Sequence, residues 1–202
     1  MRVKICGLHP LRDVKLCIDL GVNFLGFVFY EKSPRNLNLK EVKELKNYNK
    51  KDSFFVAVTV NPSNEFIQDV VLDNFDYIQL HGSETKDRIT EIQNMGFKII
   101  KSIKVKDEQD IEKHKEFDNA DIILFDTPGM EKSLEFPKNL ITKLPVGTKY
   151  ALAGSISEDN VENINKLGVN FFDLSSSLES QLGYKDHHKI KNFINKINEL
   201  KN

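Results

Sequence analysis

Cysteine and tryptophan are the scarcest residues of this chain, whose 202 residues include two cysteines, Cys6 and Cys17, and no tryptophan. Two cysteines cannot build a disulfide framework, and no CxxC pair or Cys/His cluster has the spacing of zinc ligands. The sequence therefore predicts no metal site and indicates a reducing compartment.

Long apolar runs and an excess of one charge are also missing. The longest apolar stretches, residues 24–30 and 54–60, are far shorter than the roughly 20 residues that span a bilayer, and the N-terminus does not resemble a signal peptide. Lys and Arg total 29 against 30 for Asp and Glu, so nothing in the charge favours nucleic acid or an anionic membrane. We expect a cytoplasmic protein that binds neither nucleic acid nor a membrane.

Eight short apolar runs alternate with segments of helical periodicity. Each run has four to seven residues rich in Val, Ile, Phe or Tyr, which is typical of buried parallel strands. The predicted strands are residues 3–6, 24–29, 54–60, 77–80, 98–103, 122–125, 150–153 and 171–174. Between them, apolar residues recur at helical spacing, most clearly at Ile190, Phe193, Ile194 and Ile197.

This alternation predicts an α/β fold with a parallel sheet. Eight units in 202 residues give about 25 residues each, near the lower limit for a closed barrel, and no Pro/Gly/Ser-rich linker divides the chain. We predict a single (β/α)8 TIM-barrel domain over residues 1–202, with an open doubly wound sheet as the alternative.

The turns carry capping signals. The string Leu-Gly-Val-Asn-Phe occurs at residues 20–24 and again at 167–171, which indicates a repeated helix-to-strand joint. Ser83 and Ser157 precede helical segments and are predicted N-caps.

Two strand ends carry groups that suit proton transfer. The active site of a parallel barrel lies at the carboxyl ends of its strands, where Cys6 ends the first run and Asp126 the sixth. Cys6 could equally be a small buried residue, and Asp126 a loop hydrogen-bonding group. On a regular strand Lys4 shares a face with Cys6, and we hypothesise that its charge favours the thiolate.

Other strand ends suit anion binding. Arg35 is the one arginine of four in a predicted strand-to-helix loop, where it could grip a carboxylate or phosphate or be an ordinary surface charge. The small residues Gly154-Ser155 and Ser175-Ser176-Ser177 suit a phosphate held by backbone N–H groups, with simple N-capping as the alternative. Further candidates for the substrate pocket are Gln79, His81 and Asp173.

In order and spacing, these residues resemble the phosphoribosylanthranilate isomerase family over essentially the whole chain. The resemblance rests on Lys4–Gly7, Gly26–Phe29, Lys32–Arg35, Gln79–Gly82, Leu124–Thr127, Asn160-Val161 and Asp173–Ser176.

The resemblance implies a (β/α)8 barrel, a small-molecule phosphosugar–anthranilate substrate, an Amadori rearrangement in tryptophan biosynthesis, and no cofactor or metal. Asp126 would be the general acid that protonates the ribose ring oxygen, and Cys6 the general base that removes the C2 proton. Arg35 would hold the anthranilate carboxylate, and the loops at 154–155 and 175–177 the phosphate. We expect a monomer rather than a homodimer.

The chain departs from the family's usual pattern at three places. Ser155 and Ser177 stand where the family usually has glycine, and serine would be strained at either position if a positive φ is required. The usually glycine-rich lid after the sixth strand reads Gly129 to Phe136 here and contains no tryptophan.

Three rival functions are open on the sequence. A metal-dependent sugar-phosphate epimerase needs converging His and Asp ligands, which we do not find. An indole-glycerol-phosphate synthase needs lysine and glutamate at strand ends that here hold Cys6 and Asp126. A non-catalytic ligand-binding barrel would keep Arg35 and the phosphate loops without needing the acid–base pair.

Overall fold

Eight parallel strands close into a barrel in sequence order, with β8 paired to β1. The computed structural model describes residues 1–128 and 135–201, apart from the side chains of residues 10 and 11. The strands are β1 (Arg2–Cys6), β2 (Phe24–Phe29), β3 (Phe54–Thr59), β4 (Tyr77–Leu80), β5 (Lys98–Lys104), β6 (Ile122–Asp126), β7 (Tyr150–Leu152) and β8 (Phe171–Leu174). The predicted (β/α)8 barrel is confirmed, and the open doubly wound alternative is wrong.

Short helices connect the strands, because units of about 25 residues leave little chain for them. They are α1 (Pro10–Asp19), α2 (Leu39–Val42), α3 (Asn64–Phe66), α4 (Lys86–Asn94), α5 (Glu108–Glu112), α6 (Lys138–Ile141), α7 (Val161–Lys166) and α8 (His187–Glu199). Single turns of 3-10 or π helix extend three of them, at Lys43–Asn47, Ile67–Val71 and Lys113–Phe117.

An antiparallel hairpin that the sequence did not predict lies between β8 and α8. A 3-10 turn over Ser176–Leu178 leads into β9 (Glu179–Gln181), which pairs with β10 (Tyr184–Lys185). This hairpin brings two charged residues, Glu179 and Lys185, into the protein interior.

Side-chain alternation along β1 separates two layers of core. Val3 and Ile5 pack outward in the cluster that includes the helices, whereas Cys6 contacts the cluster inside the barrel. Lys4 also points inward, to Asp173 of β8. The predicted shared face of Lys4 and Cys6 is therefore confirmed.

An aromatic layer fills the amino end of the barrel. The Phe24 ring lies 5.1 Å from that of Phe171 and 5.3 Å from that of Tyr77, and the Arg2 guanidinium lies 4.3 Å from the centre of the Phe171 ring. Such ring pairs and cation–π contacts add to the stabilisation from apolar burial. This layer closes the amino end of the barrel, so a binding cavity can open only at the carboxyl end.

The two repeated joints have the same geometry. Gly21 and Gly168 follow the last residues of α1 and α7 with φ of 71° and 97°, so each uses the left-handed conformation that favours glycine. The predicted helix-to-strand joint is confirmed at both places.

The predicted N-caps are wrong. Thr85 caps α4 by accepting from the Arg88 N–H, while Ser83 instead donates to the side-chain oxygen of Asn61 in the neighbouring loop. At α7 the cap position is Asn160, whose amide oxygen accepts from the Ser157 N–H. In both loops, bonds between loop residues decide where the helix begins.

Candidate active site

A cavity of about 680 Å³ opens at the carboxyl ends of the strands, within the usual size range of small-molecule sites. All the predicted site residues line it, from six different strands or the loops that follow them. They are Cys6, Arg35, Gln79, His81, Asp126, Gly154, Ser155, Asp173, Ser175, Ser176 and Ser177. The barrel topology thus brings together groups that are up to 171 positions apart in sequence.

Below the cavity floor, Lys4 forms a buried ion pair with Asp173. Its Nζ lies 2.8 Å from Oδ2 and 3.0 Å from Oδ1 of Asp173, and the lysine is only 1% exposed. The two residues are paired in register on β1 and β8, both pointing inward. Although burial opposes the charge, Asp173 and Cys6 raise the pKa of Lys4 above its usual value. Lys4 is therefore a fixed cation beneath Cys6.

Cys6 lies between opposing electrostatic influences. Burial raises the pKa of its thiol above the usual value, while the charges of Lys4, Lys185 and Arg35 act to lower it. Lys4 thus acts on the thiol in the direction of the hypothesis, but burial outweighs its effect. The thiol therefore resists ionisation.

Space for Cys6 depends on a glycine in the next strand. Gly26 of β2 is the register partner of Cys6, and a Cβ at this position would lie 3.2 Å from the Cys6 Sγ and 3.3 Å from the Lys4 Cε. A larger residue would push against both groups. The glycine in the motif Gly26–Phe29 therefore has a steric role at the site.

Asp126 ends β6 as an acid that can hold a proton at neutral pH. Burial, and then the charge of Asp173, raise the pKa of its carboxyl group to about 7. The Thr127 N–H, which donates to Oδ1 at 2.8 Å, opposes this shift only partly. A carboxyl group with a pKa near the working pH is suited to general acid catalysis.

His81 faces Asp126 as a neutral ring. Its Nε2 lies 3.4 Å from Oδ2 of Asp126, and its Nδ1 lies 3.3 Å from the amide nitrogen of Gln79. Burial and the charges of Lys104, Lys4 and Lys101 lower the pKa of His81 to about 4. At neutral pH His81 therefore contributes no positive charge that would ionise Asp126.

Arg35 reaches the cavity with its guanidinium already ion-paired. Its Nε and Nη2 donate to the two carboxylate oxygens of Glu179 at 2.6 and 2.9 Å, and both side chains are nearly buried. Gly7 makes room for the arginine, because a Cβ there would lie 2.5 Å from the Arg35 Cδ. Sequence reasoning placed Arg35 at the site but missed its partner.

The two small-residue loops differ in backbone geometry. After β7, Gly154 has φ of 113° and Ser155 has φ of 48°, while the Asn160 side chain donates to the Ser155 carbonyl. After β8, the Ser175 hydroxyl donates to the Cys6 carbonyl at 3.1 Å. The second loop is therefore tied directly to the strand that carries Cys6.

A second buried ion pair supports the loop that carries His81. Lys101 of β5 lies 2.8 Å from Glu84 Oε2 and 2.8 Å from the Gly82 carbonyl, and Glu84 also accepts from the Asn61 N–H. The sequence analysis did not predict the pair of Lys101 and Glu84. The available signal was a lysine within the apolar run 98–103, since a buried lysine needs an anionic partner.

The described residues contain neither a metal-binding cluster nor a membrane-spanning helix. No group of three or more His, Cys, Asp or Glu residues in this part of the chain could hold a metal ion. None of its helices is long and apolar enough to cross a membrane.

Comparison with known proteins assigns the family. A family model described as N-(5′-phosphoribosyl)anthranilate (PRA) isomerase matches residues 3–196. The chain belongs to this isomerase family. A relative from Sulfurihydrogenibium sp., named N-(5′-phosphoribosyl)anthranilate isomerase, is 36% identical, with 96% of this chain and 97% of the relative covered. A relative of the same name from Thermoanaerobacter sp. (strain X514) is 34% identical over the full length of both chains.

Solved structures of the family share the whole fold. The phosphoribosylanthranilate isomerase of Thermotoga maritima has a TM-score of 0.86 at 29% identity, with 98% of this chain and 99% of that chain covered. A family structure in complex with reduced 1-(o-carboxyphenylamino)-1-deoxyribulose 5-phosphate has a TM-score of 0.84 at 29% identity, with the same coverage.

The three departures from the family pattern have different outcomes in the structure. Ser155 has a positive φ, so the condition under which serine would be strained is met at this position. Ser177 lies in the 3-10 turn 176–178 without a positive φ, and no strain arises from it. The lid expected after β6 falls on residues 129–136, of which 129–134 lie outside the described residues.

Proposed function

We propose that this chain catalyses the isomerisation of N-(5′-phosphoribosyl)anthranilate with Asp126 as general acid and Cys6 as general base. One observation carries the assignment: Cys6 and Asp126 line the same cavity from different strands. The pKa of about 7 for the Asp126 carboxyl group supports its role as the acid. Proton transfer at two separate atoms of a sugar needs two such groups on different sides of the ligand.

The first step opens the ribose ring. Asp126 donates its proton to the ring oxygen as the C1–O bond breaks, and the nitrogen lone pair forms the C=N bond of a protonated Schiff base. The neutral His81 beside Asp126 leaves the carboxyl proton available, because a protonated histidine there would favour the carboxylate. Asp126 ends this step as a carboxylate.

The second step removes the C2 proton. The Cys6 thiolate, formed by loss of the thiol proton to solvent, takes it, and the C2–H electron pair forms the C=C bond of an enolamine while the iminium nitrogen accepts the displaced pair. The positive nitrogen of the Schiff base is the electron sink, and it also favours the thiolate that burial otherwise disfavours. Proton transfer to C1 and loss of the C2 hydroxyl proton then give the ketone.

Anion sites at the two ends of the cavity would fix the substrate across these groups. Arg35 would bind the anthranilate carboxylate, and the backbone N–H groups around Gly154-Ser155 and Ser175–Ser177 would bind the phosphate. Gln79 and Asp173, which also line the cavity, would contact the sugar hydroxyls. Holding both ends in this way supplies the orientation that proton transfer needs.

We further infer one domain over residues 1–202 that acts in the cytoplasm as a monomer. Two cysteines without a disulfide support a reducing compartment. A related structure from Thermotoga maritima is described as a monomer generated from a dimeric enzyme, so the solution mass of this chain is the test of its own state.

Turnover of freshly made phosphoribosylanthranilate tests the proposed function. Loss of anthranilate-type fluorescence without added metal should be rapid with the unaltered chain, and at least about a hundredfold slower with Cys6→Ala or Asp126→Asn. Cys17→Ala, which removes a thiol from the apolar face of α1, serves as the matched control. Near-normal turnover by either site variant would refute the role given to that residue.

A further inference from the structure

A cluster of buried charges behind Arg35 is used by no step of the proposed mechanism. Glu179 and Lys185 of the β9–β10 hairpin are each 7% exposed, and neither lines the cavity. Buried charges are costly unless they are paired, so their presence calls for a physical role.

Glu179 is the centre of this cluster. Its carboxylate accepts from the Arg35 Nε and Nη2, from the Lys185 Nζ at 2.8 Å and from the Gly183 N–H at 3.3 Å. Although burial opposes ionisation, hydrogen bonding to Arg35 and the charge of Lys185 lower the pKa of Glu179. The carboxylate thus stays charged while holding the guanidinium from behind.

The hairpin also packs directly on the loop that carries Arg35. Gly183, at φ of 79°, lies so close to the Pro34 carbonyl that a Cβ would come within 2.8 Å of its oxygen. Lys189 of α8 donates to the Glu179 carbonyl and fixes the start of the hairpin. The position of Glu179 relative to Arg35 is therefore set by backbone packing as well as by charge.

Lys185 adds a second cation beside the Arg35–Glu179 pair. Its Nζ lies 2.8 Å from Glu179 Oε1, so the carboxylate is shared between two cations and neutralises the guanidinium less completely. Burial lowers the pKa of Lys185, while the charge of Glu179 and its hydrogen bond oppose that shift and favour the ammonium form. Desolvated charges interact strongly, so this difference matters most for a ligand anion that contacts the guanidinium.

We propose that Glu179 and Lys185 form with Arg35 a positioning triad, in which Glu179 orients the guanidinium and Lys185 preserves its positive charge for the carboxylate of the substrate. This inference rests on the proposed function, since it deepens the role given there to Arg35. Glu179 and Lys185 act through Arg35 and do not touch the substrate.

A second role for Lys185 has to be separated from this one. Its Nζ also donates to the Ser175 carbonyl at 3.2 Å, so loss of the lysine could disturb the phosphate loop instead. Loss of the triad would weaken contacts to the ligand carboxylate, whereas a disturbed loop would weaken contacts to the ligand phosphate. A carboxylate-specific loss of affinity indicates the triad, whereas a general loss indicates the phosphate loop.

The experiment compares two ligands that differ by one carboxylate. They are the reduced 1-(o-carboxyphenylamino)-1-deoxyribulose 5-phosphate and its phenylamino counterpart without the carboxylate, with affinities measured by calorimetry. Lys185→Met should weaken the first at least about tenfold and the second less than about threefold, as expected for a charge-dependent contact. Equal losses for both ligands, or no loss for either, would overturn the proposal.

A variant that restores the net charge separates an effect of charge from an effect of packing. The double variant Glu179→Gln/Lys185→Met removes one anion and one cation and keeps the net charge of the unaltered chain, so it should bind the carboxylate ligand more tightly than Lys185→Met alone. Under a packing role, the double variant would bind no better than the single one, and that result would contradict the triad. Lys185→Arg, which keeps the charge, should bind nearly as the unaltered chain does.

Two further variants guard against unfolding and unspecific effects. Lys185→Gln keeps a hydrogen-bonding group without the charge, and should show the same selective loss if Lys185→Met does not fold. Lys50→Met removes a lysine that similarly pairs with a carboxylate, Asp76, and a backbone carbonyl, but away from the cavity; it should leave both affinities unchanged. Failure of the unaltered chain to bind either ligand would overturn the proposed function itself, and the triad with it.

Discussion

Lys4 and Asp173 form an ion pair inside the barrel, with Nζ 2.8 Å from Oδ2, directly below Cys6. The pair places the Lys4 cation under the proposed base and Asp173 near the proposed acid. Burial raises the pKa of Asp173, and the ion pair with Lys4 opposes that rise. The Asp173 charge helps to raise the pKa of Asp126, and the Lys4 charge acts to lower that of Cys6. Asp173 also raises the pKa of Cys6 and Lys4 also lowers that of Asp126, but in each case this opposing effect is the smaller one. The pair therefore biases both proposed catalytic groups in the directions that their roles require.

Replacing Lys4 with methionine should raise the pKa of the Cys6 thiol further, because the nearest cation is lost. Ultraviolet titration of the thiolate in a Cys17→Ala background follows Cys6 alone, because no other cysteine remains. An unchanged Cys6 pKa would show that Lys4 does not act on the thiol. The double variant Lys4→Met/Asp173→Asn, which removes both charges, should show a smaller rise.

Asp126→Asn should stabilise the folded protein at pH 8 and leave stability at pH 4 nearly unchanged. The folded-state pKa of about 7 lies above the unfolded value, so the acid's contribution is fully present below about pH 4 and is lost as pH rises through 7. Asparagine does not ionise, so the variant avoids the cost of a buried carboxylate at pH 8. The rise in the Asp126 pKa corresponds to a gain of about 2–4 kcal/mol in the free energy of unfolding.

Urea denaturation at the two pH values measures this difference. Asp19→Asn is the control of opposite sign, because hydrogen bonding to Lys15 and then Lys51 lowers the pKa of Asp19. Equal stability of Asp126→Asn and the unaltered chain at pH 8 would contradict the raised pKa of Asp126.

Ser155→Gly should be neutral or stabilising, because it releases a left-handed strain of about 1–2 kcal/mol against an entropic cost of about 0.4–1 kcal/mol. Ser177→Gly is the matched control, since Ser177 lies in the 3-10 turn without a positive φ and gains no such release. Thermal unfolding of both variants measures the comparison. A larger loss for Ser155→Gly than for Ser177→Gly would show that the Ser155 side chain contributes more than its backbone strain costs.

Arg35→Ala should raise KM for phosphoribosylanthranilate by about tenfold or more, with a smaller effect on kcat, because a charged hydrogen-bond pair to the carboxylate is lost. Arg35→Lys keeps the charge but cannot form the bidentate pair with Glu179, so it should recover only part of the affinity. Steady-state kinetics gives both constants. An unchanged KM in Arg35→Ala would exclude Arg35 from substrate binding.

The barrel and the composition of its open end could be predicted from the sequence because both follow from local patterns. Apolar runs mark the strands, and the residues that end them meet at one edge of a parallel barrel. Cys6 and Asp126, although 120 positions apart, were placed at one site on that basis alone. The family resemblance raised a positive φ only as a condition, at both Ser155 and Ser177, and the structure meets it at Ser155 alone.

The supporting charges could not be predicted because their partners are distant and their burial depends on packing. Glu179 and Lys185 lie in a short hairpin of polar residues that reads as surface, and Arg35 is 144 positions from Glu179. Ser83 and Ser157 were wrong as N-caps for a related reason, since bonds to Asn61 and Asn160 outweigh the local capping preference. Tertiary contacts decided each of these cases.

The most direct test of the account is the kinetic isotope effect of substrate deuterated at C2, measured in the two site variants. Asp126→Asn should make ring opening limiting, so protiated and deuterated substrates should react at nearly the same rate. Cys6→Ala should make C2 deprotonation limiting, so the deuterated substrate should react several-fold more slowly. Equal isotope effects in the two variants, or the reverse order, would contradict the assignment of Asp126 as acid and Cys6 as base.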